Sequence, residues 1–236
     1  RTTNSVTYSS SGTIGIAGTF SPTATFTTGS NIINGSTINY NGSGSQTISV
    51  FTYFNLTSSS TGSRTLASSG TIKIENVFTP GTNAYTNTGS TIEFMSSSSQ
   101  TIPAFNYNNL SSSGSGARIL ASSGTIGVAG NFTPGTNSYT VTGSTVNYNG
   151  SGAQNIGGIT YNNLATSNAG TKSSTGNLTV NGTFTVSSPT IFSPGASFVV
   201  SGSGSLTGDG TIQVTRIAAT ADLLNQYTIS SVNISS

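Results

Sequence analysis

The chain has 236 residues, of which 6 are Lys or Arg and 4 are Asp or Glu, with no His and no Cys, for a net charge of +2. Disulfides, thiolate or imidazole metal sites and His-based catalytic triads are thereby excluded. The cations are spread over Arg1, Arg64, Lys73, Arg118, Lys172 and Arg216, so no patch of the kind nucleic acid requires is expected.

Taken in chain order, the sequence repeats itself. Gly12-Thr-Ile opens a first unit. Gly70-Thr-Ile opens a second and Gly124-Thr-Ile a third, so the period is 124 − 70 = 54. The same shift carries Gln46 to Gln100 and Gln154, Arg64 to Arg118, Pro80 to Pro134, Tyr85 to Tyr139, Tyr107 to Tyr161 and Leu110 to Leu164. Gly176-Asn-Leu opens a last unit. The units run approximately over 12–69, 70–123, 124–175 and 176–236, within one solenoid domain of residues 1–236. The first carries extra residues between Phe20 and Gly35, and two residues are lost before the last. A fixed period of this size indicates one structural unit stacked on copies of itself.

Within the middle unit, strands are predicted over Thr71–Ile74, Ala84–Thr88, Thr91–Phe94, Gln100–Ile102, Phe105–Asn108 leading to Leu110, and Arg118–Leu120. Several alternate apolar and polar residues (Ile72 and Ile74 about Lys73; Ile92 and Phe94 about Glu93), as strands with one buried face do. Gly, Ser, Asn and Pro punctuate them, and no segment carries a capped helical stripe. Low apolar content (32%) would favour disorder, but the matched β-branched and aromatic positions argue for folding.

The fold class expected is all-β, a β-solenoid (parallel β-helix) built from 54-residue repeats. A row of small sandwiches is the other architecture for tandem β units, but the unit is short for a sandwich of roughly 100 residues. Six segments per unit divide into two three-faced coils of about 27 residues, or into three coils of about 18. Nine coils at the strand spacing of about 4.8 Å would make a rod on the order of 40 Å long. Ile72 would lie below Ile126 and Phe78 below Phe132. Asn108-Asn109 and Asn162-Asn163 would form amide ladders. Gly70, Gly124 and Gly176 would supply positive-φ bends.

The phrase Gly143-Ser-Thr-Val-Asn-Tyr-Asn-Gly-Ser-Gly-Ala-Gln154, followed by Tyr161-Asn-Asn-Leu164 and Asn177-Leu-Thr-Val-Asn-Gly-Thr-Phe184, resembles repeats in very large surface and secreted proteins of the Bacteroidota. Gly210-Thr-Ile-Gln-Val-Thr-Arg216, with Ala221-Asp222 and Gln226-Tyr-Thr-Ile229, is similar to another block of the same proteins. The resemblance implies an exported adhesin-like or fibre-forming protein at the cell surface, often delivered through type IX secretion. The start at Arg1, without Met or a hydrophobic signal region, is expected of a processed product or an excised fragment.

Chemistry is sparse. Polysaccharide lyases and hydrolases need paired carboxylates, or a base with a metal or arginine partner, and the acids are Glu75, Glu93, Asp209 and Asp222. Glu75 and Glu93 share a unit and could approach one another, but their equivalents in the next unit are Ala129 and Asn147, so solvated surface charge is the expectation. Ser and Thr number 85, without a base to activate them, and Lys73 and Lys172 lack an SxxK context. Gly208-Asp209-Gly210 occurs once and reads as a tight turn. Asn-x-Ser/Thr at Asn34, Asn55, Asn131, Asn177 and Asn181 arises by chance in such a composition, although the hydroxyl-rich surface could accept O-linked sugars. Tyr85 with Tyr139, or Tyr40 with Tyr148, could stack on sugar rings if exposed; a core position is the stronger expectation.

No catalytic residue, cofactor or metal site is expected. The function expected is structural: a stalk or filament segment of an extracellular adhesin. It would associate end to end with copies of itself through open strand edges, without membrane insertion. The alternative is a glycan- or ice-binding module, motivated by Thr86-x-Thr88 aligning with Thr140-x-Thr142.

Overall fold

A computed structural model describes residues 11–21, 35–216 and 225–234. These form 27 short β-strands, stacked in parallel as a β-solenoid. Asn34, Asp222 and most of the insertion before Gly35 lie outside the described residues. Chain contacts divide the molecule into two compact units. One is Arg1–Gln100 with Ser113–Gly116; the other is Thr101–Ser112 with Ala117–Ser236.

In the first unit, Thr13–Ile16, Thr37–Tyr40, Thr52–Ser58, Thr71–Thr79 and Thr91–Phe94 pair side by side in that order. A second sheet runs Gln46–Ile48, Arg64–Leu66, Tyr85–Thr86. In the second unit a seven-stranded sheet runs from Asn106–Tyr107 through Thr125–Val128, Thr145–Tyr148, Asn163–Thr166, Thr183–Val186 and Ser205–Gly208 to Ser231–Ile234. Shorter sheets stack Gln154–Ile156 under Thr171–Ser174 and Ile191–Ser193, and Thr160–Tyr161 under Leu178–Val180.

Parallel partners of one sheet set the length of a winding. Thr37 pairs with Asn55 (55 − 37 = 18), Ile72 with Ile92 (92 − 72 = 20) and Phe184 with Leu206 (206 − 184 = 22). One winding therefore takes about 20 residues, at the short end of solenoid repeats. The expected two coils of about 27 per unit are incorrect, and the shorter of the two divisions is the nearer. The reason lies in strand length. Most segments are only two to four residues long, so three of them and their turns close a coil sooner than the segment count suggested.

The same registers correct the expected columns. The partner of Ile72 is Ile92 and that of Ile126 is Val146; Phe78 pairs with Leu56, and Phe132 with Leu110. The residue stacked on a side chain is thus its neighbour one winding away, not its equivalent in the next repeat. Of the expected strands, Thr71–Thr79 runs longer than the four residues read for it, and Phe105–Asn108 is observed instead as two, Asn106–Tyr107 and Asn109–Ser112. Opposite Thr52–Ser58, the first of these carries an irregularity where the register steps between Tyr53 and Asn55.

Inward positions alternate with outward ones along each strand, the period that places one face in the core. Ile38, Leu56, Ile72, Ile92 and Phe94 are buried in the first unit, and Ile126, Val146, Leu164, Phe184 and Leu206 in the second. At the bends, Gly70 (φ 83°) and Gly124 (φ 80°) take the positive φ expected of them. Gly176 does not. It is glycine because a Cβ there would sit 3.2 Å from Gly158 Cα, and one on Gly158 would sit 2.7 Å from Gly176 Cα.

Candidate functional site

Three of the cations occupy positions that the sequence reading left unassigned. Arg64, Arg118 and Lys172 are not surface charges: each has 0% relative exposure, and each stands one repeat from the next. Their strands point them inward, in register with other polar residues. Gln46 pairs with Arg64 and Arg64 with Tyr85; Gln154 pairs with Lys172; Arg118 pairs with Tyr139. The result is a short internal polar column in each of these sheets, beside the apolar core.

Among the described residues Arg64 has no carboxylate partner, and it binds main-chain oxygens. One terminal nitrogen donates to the carbonyls of Gly62 (2.8 Å), Ser63 (3.1 Å) and Gly44 (3.4 Å). The other donates to Ser59 (2.6 Å), Tyr40 (2.8 Å) and Gly42 (3.2 Å). Lys172 Nζ donates to the carbonyls of Gly150 (2.6 Å) and Gly152 (2.8 Å), the counterparts, two repeats on, of Gly42 and Gly44. Arg118 reaches the Ala117 carbonyl at 3.3 Å. Burial pushes the pKa of Lys172 down, and that of Arg118 too, the latter partly offset by Tyr139. A cation among carbonyl dipoles gathers the oxygens of several turns that the ladders leave over.

Each glutamine works from the neighbouring winding with both ends of its amide. Gln46 Oε1 accepts from Gly42 N–H (2.8 Å) while Nε2 donates to the Ile16 and Gly18 carbonyls (both 2.7 Å). Gln100 bonds Ser96 N–H (3.1 Å) and the Ile74 and Asn76 carbonyls (2.9 and 3.0 Å) in the same way. Gln154 repeats it with Gly150 N–H (2.8 Å) and the Val128 and Gly130 carbonyls (2.9 and 2.7 Å). Among the described residues Gln226 is a further buried amide of this kind, bonded to Thr215 N–H (2.7 Å) and the Gly195 carbonyl (2.9 Å).

Two of the four tyrosines named above, Tyr40 and Tyr148, lie in the core, where the stronger expectation put them. Tyr40 and Tyr148 are buried, and their hydroxyls meet those of Tyr53 and Tyr161 at 2.9 Å. Tyr148 Oη also accepts from Gly157 N–H (3.1 Å), and Tyr40 Oη from Ser49 N–H (3.4 Å). The position between these two copies holds Phe94, and the one matching Ser49 and Gly157 holds Pro103. A hydroxyl is thus present where an N–H needs an acceptor and absent where proline supplies none. Tyr85 and Tyr139 are half-buried and turn their hydroxyls to Ser58 and Ser112 and to the carbonyls of Pro80 and Pro134. Burial raises both pKa values to about 12.

The asparagines behave differently from the expected ladders. Asn109 and Asn163 turn Oδ1 to a backbone N–H of the next winding, that of Asn131 and of Thr183 (2.9 Å each). Amide-to-amide bonding does occur between Asn76 and Asn55 (2.8 Å).

Glu93 lies opposite Lys73 in register, 3.9 Å from its amine, and accepts from Ser113 Oγ (2.5 Å). Glu75 has its pKa raised by partial burial. Asp209 accepts from Ser188 N–H (2.9 Å). Among the described residues, no three His, Cys, Asp or Glu side chains come together as metal ligands would. Thr47, Thr65 and Thr86 pair in register on the outward side of the strands that carry Gln46, Arg64 and Tyr85. Thr47 and Thr86 are exposed and Thr65 is half-buried. Thr88, Thr140 and Thr142 are also exposed. Compared with known proteins, the chain matches no family model, no curated protein and no solved structure.

Proposed function

We propose that this chain is a structural segment of an extracellular surface protein, a stalk or filament element that displays adhesive parts and associates with further copies of itself. The observation that carries the reading is the disposition of polar groups. Three of its few cations and three glutamines at matched positions are spent on backbone oxygens and N–H groups inside the coils. Outward positions carry mainly Thr, Ser and Asn. Such a molecule resists being pulled apart through its parallel ladders, while its uncharged hydroxylated exterior stays hydrated and insensitive to salt. The resemblance to Bacteroidota surface repeats supports export to the cell surface.

Two measurements test it. Single-molecule pulling is expected to give high, regularly spaced rupture forces, and electron microscopy at high concentration to show end-to-end filaments. Extension at low force together with dispersed short particles would refute it.

A second reading, a module that binds ice or a glycan, is favoured by the outward Thr47–Thr65–Thr86 register, whose hydroxyls repeat at the strand spacing of about 4.8 Å. Thermal hysteresis, or retention on a glycan array, that is lost in Thr65→Tyr would establish it in place of a passive stalk.

A further inference from the structure

Three Asn-Gly steps lie among the described residues, Asn41-Gly42, Asn149-Gly150 and Asn181-Gly182. Asn-Gly is chemically the least durable step in a polypeptide, because glycine has no side chain to hinder its nitrogen. That nitrogen gives up its proton to solvent base and attacks Cγ of the preceding asparagine. The new C–N bond closes a succinimide and ammonia leaves. Water then opens the ring at either carbonyl, giving aspartate or isoaspartate. The reaction requires the glycine N–H to be free and the asparagine side chain to swing over it.

At two of the three steps both requirements are blocked by the polar column. Gly42 N–H donates to Gln46 Oε1 and Gly150 N–H to Gln154 Oε1, both at 2.8 Å and both buried. On the other side of each glycine, the Gly42 carbonyl is held by Arg64 (3.2 Å) and the Gly150 carbonyl by Lys172 (2.6 Å). The asparagine side chains lie over glycines of the preceding winding. A Cβ on Gly15 would stand 2.8 Å from Asn41 Nδ2, and one on Gly127 would stand 3.0 Å from Asn149 Nδ2. The glycine nitrogen and carbonyl are each held by a hydrogen bond, and the asparagine side chain lies against the neighbouring winding.

We propose that Asn41 and Asn149 are latent deamidation sites, kept as asparagine by Gln46 and Gln154. The damage prevented is more than a charge. Isoaspartate adds a methylene to the main chain where Asn41 N–H and Asn149 N–H donate to the Ile16 and Val128 carbonyls (3.0 Å each), and so would throw the ladder out of register. Asn181 is an internal reference, because Gly182 N–H donates to the Asn162 carbonyl (2.8 Å) and involves no glutamine.

The test is peptide mapping for the one-dalton gain and isoaspartate during ageing at mildly alkaline pH, on folded protein, urea-unfolded protein, Gln154→Ala and Gln154→Glu. In folded wild type, Asn149 is expected to react far more slowly than in urea; equal rates would overturn the proposal. Gln154→Ala is expected to speed Asn149 by at least about fivefold, the factor for one lost hydrogen bond of about 1 kcal/mol, with Asn181 unchanged. No acceleration in a folded Gln154→Ala would overturn it. If that variant unfolds, Asn149 and Asn181 will accelerate together, and Gln154→Glu decides. It keeps an acceptor for Gly150 N–H, so Asn149 is expected to stay slow, and rapid loss there beside an intact Asn181 would refute the role given to Oε1.

Discussion

Replacing Arg64 by methionine keeps an apolar stem and removes the guanidinium, and is expected to destabilise the first unit by about 3 kcal/mol. The figure comes from asking which carbonyls would lose their donor. Tyr40 O also accepts Ser59 N–H, and Ser63 O accepts Gln46 N–H (3.0 Å each). Ser59 O and Gly62 O are also reached by the Asn83 amide, at 3.5 and 2.7 Å. The carbonyls of Gly42 and Gly44 rely on the guanidinium. A hydrogen bond from a charged donor contributes about 1.5–3 kcal/mol with desolvation included, so two such losses give about 3 kcal/mol at the lower end. Lys172 identifies the same pair independently, since at its position a lysine bonds only the matching carbonyls, Gly150 and Gly152. Arg64→Lys should therefore cost no more than about 1 kcal/mol, the remaining oxygens having other donors. Urea unfolding followed by circular dichroism, with amide exchange of the Gln46–Leu66 region as a local probe, measures both. If Arg64→Met proves as stable as Arg64→Lys, the carbonyls do not depend on the cation and the reasoning fails.

Alkaline pH should unfold the protein steeply. Eight tyrosines have pKa values raised by burial, Tyr85, Tyr139 and Tyr148 to about 12. Above the unfolded value of 10 the unfolded chain ionises first, so their stabilisation, complete below pH 10, is lost as pH rises toward 12. Tyr85, Tyr139 and Tyr148 each lose about 1.4 kcal/mol of stabilisation by pH 11, about 4 kcal/mol together and a large part of a domain's stability, and the other five act in the same direction. Lys172, lowered by burial, has the opposite sign below 10.5 and is one group against eight; a pH titration of melting that stays flat to pH 11 would contradict this. Gly143→Ala should cost well over about 2 kcal/mol, because φ is +82° and the new Cβ would stand 2.1 Å from the Ser122 carbonyl oxygen. Gly195→Ala, at φ +79° with 3.5 Å to Phe198, should cost only about 1 kcal/mol, and equal melting losses would refute the steric part. Tyr148→Phe should lose about 1 kcal/mol by leaving Gly157 N–H without its acceptor. Adding Gly157→Pro, the combination at Phe94 and Pro103, should recover most of it in chemical denaturation.

Much of the architecture was legible because apolar periodicity reports directly on burial. Ile72 and Ile74, and Ile92 and Phe94, were placed inward from alternation alone, and they are buried. The length of a winding was not legible, because sequence identity matches units that are three windings apart, whereas hydrogen bonds join adjacent windings whose sequences differ. Ile72 meets Ile92 through backbone geometry that leaves no trace in the alignment of one repeat on the next. The buried cations were hidden by a different effect. Charge on a polar chain is ordinarily solvated, and no Asp or Glu stands within ten residues of Arg64, Arg118 or Lys172 in the sequence to advertise burial. The available signal was their spacing: charges free on a surface have no reason to recur once per repeat, in step with Gln46, Gln100 and Gln154.

Why a coil should hide its charges rather than show them follows from its turns. A β-ladder satisfies the N–H and C=O groups of strands, but a winding of about 20 residues spends much of its length in bends whose groups point inward without a ladder partner. A wide globular core would bring water or neighbouring loops to them; a narrow solenoid has room for neither. Long side chains that donate several bonds from one position, or donate and accept at once as Gln154 does, satisfy several such groups per residue at little cost in volume. They also discriminate between registers. A shift of one residue would turn Arg64 outward and leave the Gly42 oxygen buried without that donor, whereas a purely apolar column would slide at lower cost. Placing one amide and one cation in each repeat therefore fixes the alignment of winding on winding, which a chain so poor in large apolar side chains could not secure by packing alone.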